Sequence, residues 1–255
     1  MHEVSRSHNL PGDRVLEEIQ RFWDEDAPTY DISVSHRPRD PAVQAAWTAA
    51  LARLLPPAPA RVLDVGAGTG FLSLIAARLG HSVTAMDLSP QMLGRLEAQA
   101  RAQGLEIHKA LGPAQRPPGN FDAVIERHLL WTLPDPGDAL AAWKESAPGG
   151  RLVLFESVWG AADPLEAMRS RARHALHRLR GRPPDHHGSY SDALRSSLPL
   201  GTGTPPARIV ELATSCGWRR ARLERLRDVE WAERQALPAL ERLVGVSPRF
   251  AVVAD

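Results

Sequence analysis

The sequence predicts an α/β fold: a doubly wound, mostly parallel seven-stranded sheet with an N-terminal helical cap and a lid inserted after strand five. Three observations predict it. From Arg61 to Glu156 short apolar runs alternate with segments of helical periodicity, as parallel crossovers require. The run Arg61-Val62-Leu63-Asp64-Val65 leads directly into Gly66-Ala67-Gly68-Thr69-Gly70, a tight turn at a helix start. A length of 255 residues, 43% hydrophobic and 24% charged, suits one such domain with a sizeable embellishment.

In order along the chain, Asp13 to Asp24 places Val15, Leu16, Ile19, Phe22 and Trp23 at helical spacing. A polar, proline-containing loop (Glu25 to Pro41) separates it from a second helix, Ala42 to Leu55, which Pro56-Pro57-Ala58-Pro59 stops. Strand one is Arg61 to Val65 and the first crossover helix about Gly70 to Leu79. Strand two is Ser82 to Met86, and Ser89-Pro90 supplies an N-cap and first-turn proline for the next helix. Strand three is a weak Glu106 to Ala110, strand four Phe121 to Ile125, and strand five Leu152 to Glu156, preceded by a helix over Pro136 to Ser146. Beyond it, Leu165, Met168, Ala172, Ala175, Leu176 and Leu179 form an apolar helical stripe opposed by Arg169, Arg171, Arg173, Arg178 and Arg180. Arg182 to Thr204, rich in Pro, Gly and His, is too long for a bare connector and reads as a lid. Pro205 to Ser215 is a helix closed by Gly217, and Arg219 to Leu226 with Arg249 to Ala254 make a final antiparallel pair. The divisions expected are a cap over 1–58, a ligand-binding core over 59–160, a helix and lid over 161–204, and a C-terminal completion of the sheet over 205–255.

Composition narrows the function classes. A net charge of +1 gives no global reason to expect nucleic acid or an anionic membrane as partner, and the Arg169 to Arg182 charges read as a solvated helix face. One cysteine, Cys216, excludes an internal disulfide and a cysteine-based zinc site, and His186-His187 lacks companions at ligand spacing, so no metal is expected. No apolar run reaches the ~20 residues that span a bilayer. The polar segment Met1 to Arg14 has no secretory character, so the expected location is cytoplasmic.

The chemistry concentrates at strand ends. Ligands of doubly wound sheets bind beyond the carboxyl ends of the strands, which places Asp64, Asp87, Glu126, Arg127 and Glu156 on one rim. The glycine turn departs from the dinucleotide fingerprint G-x-G-x-x-G because its third glycine comes one residue early. An acid at Asp64 would also repel a pyrophosphate over that helix start. Asp64 suits a cationic ligand, and Asp87 can accept from both hydroxyls of a diol.

These residues resemble motif I and the second acidic motif of the class I S-adenosylmethionine-dependent methyltransferases, of the small-molecule, bacterial natural-product type. The resemblance runs from about Phe22 to Asp255. It includes Phe22-Trp23-Asp24 with Ala27 and Tyr30-Asp31, Asp87-Leu88-Ser89-Pro90-Gln91-Met92-Leu93, Phe121-Asp122-Ala123-Val124-Ile125, and Pro148-Gly149-Gly150-Arg151-Leu152-Val153-Leu154. It implies a Rossmann-like fold with S-adenosyl-L-methionine as cofactor and S-adenosyl-L-homocysteine as product. The implied cofactor residues are Tyr30 at the methionine end, Asp64, Gly66, Ala67, Gly68, Gly70, Asp87, Leu88 and Met92 along the adenine, and Arg127. Gly112, Ala114 and Gln115 follow with less support. The family often has Gly-Asp-Ala after strand three, whereas this chain has Gly112-Pro113-Ala114, so the adenine amine needs another acceptor, such as the Gln115 side chain, a backbone carbonyl or water.

Glu126-Arg127-His128-Leu129-Leu130-Trp131-Thr132-Leu133-Pro134 leaves strand four without the Asn/Asp-Pro-Pro-aromatic motif of amino-directed nucleobase methyltransferases. The expected reaction is in-line transfer to a nitrogen, oxygen or carbon nucleophile of a small aromatic or heterocyclic acceptor, as in antibiotic biosynthesis. His128 is a candidate general base, or else only shapes the pocket. Trp23, Trp131, Trp159, Tyr190 and His186-His187 are acceptor-pocket candidates, with packing of the lid as the alternative role. A small-molecule partner is expected, with no nucleic acid and no membrane, in a monomer or homodimer. Two alternatives stay open: an RNA or protein methyltransferase, and a non-catalytic S-adenosylmethionine-binding protein.

Overall fold

A computed structural model describes residues 11–158, 164–179 and 190–255. Seven strands form one sheet: β1 (Arg61–Val65), β2 (Ser82–Asp87), β3 (His108–Leu111), β4 (Ala123–Arg127), β5 (Arg151–Ser157), β6 (Arg222–Arg225) and β7 (Arg249–Ala254). Their order is β3-β2-β1-β4-β5-β7-β6, and only β7 runs against its neighbours. The strand order reverses between β1 and β4, which opens a crevice at their carboxyl ends. Central β1 is buried from Val62 to Val65, so its near-continuous apolar run serves both faces.

The helices are α1 (Pro11–Asp26), α2 (Pro41–Leu54), α3 (Phe71–Arg78), α4 (Pro90–Ala102), α5 (Pro136–Ser146), α6 (Pro164–Leu179), α7 (Asp192–Ser197), α8 (Pro206–Ser215), α9 (Arg227–Ala236) and α10 (Ala239–Val244), with 3-10 turns at Tyr30–Ile32 and Leu130–Thr132. On one face Trp47 and Leu51 of α2, Ile75 of α3 and Val229 of α9 pack on Val62, Ile125, Val153 and Phe155. On the other, Leu140 and Trp143 of α5, Ile209 of α8 and Trp218 pack on Leu63, Val124, Leu154 and Val252. Right-handed crossovers explain the two layers, since the chain moves outward in opposite directions from β1 and from β4.

The structure departs from the expected elements in four places. Strand β4 starts two residues late, because Phe121 and Asp122 are spent closing the sheet edge: their amides donate to Ser146 O and Arg61 O. Arg127 therefore ends the strand. Strand β3 is likewise shifted, to His108–Leu111. Helices α9 and α10 lie between β6 and β7, so those strands pair antiparallel without forming a hairpin. Of the apolar stripe expected on α6, Met168 is 60% exposed and Ala175 and Leu176 are half-buried, while Glu166 is buried and takes hydrogen bonds from Arg173 and from Ser247 Oγ. A paired charge thus fixes α6 against the turn before β7. Within the expected lid, the described part holds α7, capped by Ser191 Oγ accepting from Leu194 N, with Leu194 and Leu198 packed on Ile19 and Tyr190. Among the described residues no helix is long and apolar enough to cross a membrane.

Candidate functional site

The crevice is built by the turn after β1. Gly68 (φ +55°) donates its amide to Asp87 Oδ2 at 2.8 Å, and a side chain there would enter open space facing the Tyr30 ring, 3.8 Å away. Gly70 (φ +91°) caps α3 for a different reason: a Cβ would stand 2.6 Å from Leu96 Cγ of α4. The expected site residue Gly70 thus packs behind the crevice, while Gly66 and Gly68 line it. Asp87 ends β2, and its other oxygen accepts from Ser89 N at 2.9 Å. Burial pushes this carboxyl up to about 6, so it ionises around neutrality with lone pairs left for further donors.

The main cavity encloses about 730 Å³, counting its solvent-open part. Tyr30, Gly66, Gly68, Asp87, Leu88, Met92, Gly112, Ala114, Gln115, Arg127 and His128 all line it, as does Trp23. A smaller pocket of about 310 Å³ adjoins it and is lined by Tyr30, His36, Asp64, Ala67, Thr69 and Arg127. Asp64 is buried there, accepts from Ser73 Oγ at 2.6 Å, and is pushed up to about 7 by desolvation. The rim residues alternate across the sheet: Asp64 and Arg127 face the α3 layer, whereas Glu126 and Glu156 face the α5 layer.

Arg127 joins the two pockets. Its Nη2 donates to Ser35 O (2.6 Å) and His36 O (3.1 Å), and its guanidinium lies 4.4 Å from the Phe71 ring centroid. Burial lowers it to about 10, still charged at neutral pH. Its Nη1 is buried with no protein partner, and so is Oε1 of Gln115. A buried cationic donor and an amide acceptor therefore open onto the same cavity system.

The N-terminal cap covers this system. Leu16, Ile19 and Trp23 of α1 and Tyr30 of the 3-10 turn form its outer wall. Two carboxylates clip the cap down. Asp24 accepts from Ser89 Oγ at 2.5 Å, and Asp31 accepts from Thr69 Oγ1 (2.6 Å), Gln99 Nε2 (2.7 Å) and Arg37 (3.1 Å). Tyr30 stacks on His36 with centroids 4.1 Å apart, and desolvation raises its hydroxyl to about 12.

Of the expected acceptor residues, Trp23 alone among the described ones lines the cavity. Tyr190 is buried behind it, edge-on to Phe22 at 4.6 Å and 5.1 Å from Trp131. Tyr190 and Trp131 therefore brace the wall from behind. Trp159 and His186-His187 lie outside the described residues. The described residues hold no cluster of three metal-ligating side chains. Sequence reasoning placed Leu129, Thr132, Leu133 and Pro134 only within the run leaving strand four, and Asp24 and Asp31 only within the N-terminal segment, without assigning them as lining residues or clips. The apolar face of α1 was a signal for Leu16 and Ile19, but it does not say what that face covers.

A family profile described as "Methyltransferase domain" matches residues 35–196. The chain belongs to this methyltransferase family. The ubiquinone biosynthesis O-methyltransferase of Xanthomonas axonopodis pv. citri is 34% identical over 155 residues, which cover 59% of this chain and 62% of that one. The chain thus matches less than two thirds of such relatives. Magnesium protoporphyrin IX methyltransferase from Synechocystis PCC 6803, solved with bound S-adenosylmethionine, superposes with a TM-score of 0.54 at 16% identity, over 94% of this chain and 96% of that one. The [4+2]-cyclase SpnF superposes over the same shares at 0.61 and 16% identity. The fold is the Rossmann-like class I methyltransferase fold, and S-adenosylmethionine is the family's methyl donor.

Proposed function

We propose that the protein methylates a small aromatic or heterocyclic acceptor, with S-adenosylmethionine as donor. The observation that carries the reading is the matched set of polar groups around one apolar cavity. Asp87 would take the ribose hydroxyls while its carboxylate stays anchored on Gly68 N and Ser89 N. Gln115 Oε1 would accept from the adenine amine in place of the acid missing at Pro113, with Leu88, Met92 and Ala114 along the base. Arg127 Nη1 and Asp64 would meet the carboxylate and ammonium of the methionine end in the smaller pocket, beside Tyr30. S-adenosylmethionine supplies a methyl group already activated by its sulfonium.

Beside Thr132 and His128, the remaining walls of the main cavity include Leu16, Ile19, Trp23, Leu129, Leu133 and Pro134. They offer surface to a flat apolar ring and no charged partner, so positioning is the chain's main contribution to the rate. The name of the Xanthomonas relative favours oxygen as the methylated atom. Nitrogen and carbon are the other outcomes, and a role in secondary metabolism is part of the same proposal. Labelled-methyl S-adenosylmethionine incubated with a panel of phenols and N-heterocycles is expected to pass label to an organic-extractable product, with stoichiometric S-adenosylhomocysteine. Tight cofactor binding with no label transfer across the panel would contradict the reading. It would favour a second one, a cofactor-binding protein with other chemistry, which the fold shared with a [4+2]-cyclase keeps in view.

A further inference from the structure

His128 follows β4 with φ +58°, a backbone conformation that a residue with a Cβ rarely adopts, and it lines the main cavity. Its ring is held at both ends. Nδ1 lies 3.2 Å from Glu156 Oε2, and Nε2 lies 3.1 Å from Arg249 Nη1. Arginine has no acceptor, so Nε2 must accept, and the ring proton therefore sits on Nδ1 and is donated to Glu156. Both partners are fixed in turn. Glu156 is buried at the end of β5, where Thr204 Oγ1 lies 3.5 Å from the same oxygen. Arg249, at the start of β7, also donates through Nε to Glu233 Oε2 of α9 at 3.2 Å.

We propose that Glu156 and Arg249 are positioning residues that clamp His128 through both ring nitrogens, making it a fixed wall of the acceptor pocket in place of a proton acceptor. This inference rests on the methyltransferase reading for its meaning but not for its test. A clamped imidazole has no free lone pair, so the acceptor must bring its own. The substrate class narrows to nucleophiles that are ionised at working pH, or that hold an unprotonated lone pair and release any proton to solvent after transfer. The charges around the ring agree. Burial and the cations Arg249, Arg127 and His36 drive His128 well below the ordinary imidazole value, against Glu156, itself raised by burial and by Glu126 but lowered by Arg249. Glu233 touches the ring only through Arg249.

The test is long-range proton–nitrogen spectroscopy of the 15N-histidine-labelled full chain, with His128→Gln giving the assignment. In the wild type, His128 is expected to stay neutral, as a single Nδ1-protonated tautomer, through the window in which an unperturbed histidine titrates. Arg249→Gln should bring its titration into that window, and Arg249→Lys, which keeps the positive charge that Gln lacks, should largely reverse the effect. Glu156→Gln, whose amide oxygen still accepts from Nδ1, should keep the Nδ1 tautomer, whereas Glu156→Leu should weaken that preference. A wild-type ring that titrates near 6.5, or that carries its proton on Nε2, would overturn the proposal without need of any variant. S-adenosylhomocysteine calorimetry on the same wild-type sample separates the failures, since loss of cofactor binding strikes the methyltransferase reading and leaves the clamp to the spectrum. With acceptors that take label, the pH dependence of kcat should follow each acceptor's own ionisation. A limb near 6 to 7 shared by acceptors of different acidity and abolished in His128→Gln would also overturn it, since Asp87 and Asp64 titrate in that range independently of the ring.

Discussion

Asp87 shows how far a residue type carries. A carboxylate at the end of the second strand was legible as a lining group of the crevice because ligand position in this topology follows from strand order. Its partners were not legible, since Gly68 N reaches it from 19 positions away. Asp24 and Asp31 stood in the segment that carries the resemblance, but their partners were not legible for the same reason: each clips the cap to a turn or helix start far along the chain, and spacing carries no trace of that. Gly68 offers the sharper test of the turn. A valine there would be strained by about 1–2 kcal/mol at φ +55° and would project toward Tyr30. Gly68→Val is expected to keep a folded far-UV spectrum while losing S-adenosylhomocysteine affinity by more than about 100-fold. Wild-type affinity in that variant would refute the turn's role.

Elements were legible where periodicity and punctuation agreed. Helix α5 begins at Pro136 after an Asp135 cap and ends at Ser146 as expected, and β1 and β7 match to the residue. Two elements were not read in full. On α9 the apolar face is narrow, since only Val229 and Ala232 are buried among charged neighbours and an exposed Trp231. On α6 the ion pair of Glu166 with Arg173 occupies part of the inward face, which hydrophobicity does not signal. The junction of α3 and α4 supports a prediction at this scale. A Cβ at Gly70 would overlap Leu96, and overpacking of this kind costs ~1–3 kcal/mol. Gly70→Ala should lower Tm by several degrees. Combined with Leu96→Ala, the loss should be smaller than the sum of the two single losses if the overlap is the cause, and additive losses would show that it is not.

Across the whole molecule, the binding rim places ionisable groups where burial opposes their charge. Asp64 and Asp87 are pushed up to about 7 and about 6, and Glu126 to about 8, all largely by desolvation. Such groups bind protons more tightly in the folded chain than in the unfolded one. Their protonation therefore favours folding at low pH, and that contribution is lost as pH rises through the folded values. The cofactor-free protein is expected to unfold at a higher temperature near pH 6 than near pH 8.5. Asp87→Asn should narrow the difference, removing a penalty on the order of 2 to 3 kcal/mol at pH 8.5. An equal Tm at both values, in wild type and variant, would contradict this account of the rim. The same strain suits a site that stabilises itself on binding a ligand with a diol and a cationic end.

That site is the central claim, and titration calorimetry with S-adenosylhomocysteine tests it most directly. The account predicts one binding event per chain in the wild type, and a loss of at least about 10-fold in affinity for Asp87→Ala, since a charge-assisted ribose contact is removed. Absence of binding by the folded wild type, or an unchanged affinity in Asp87→Ala, would contradict it.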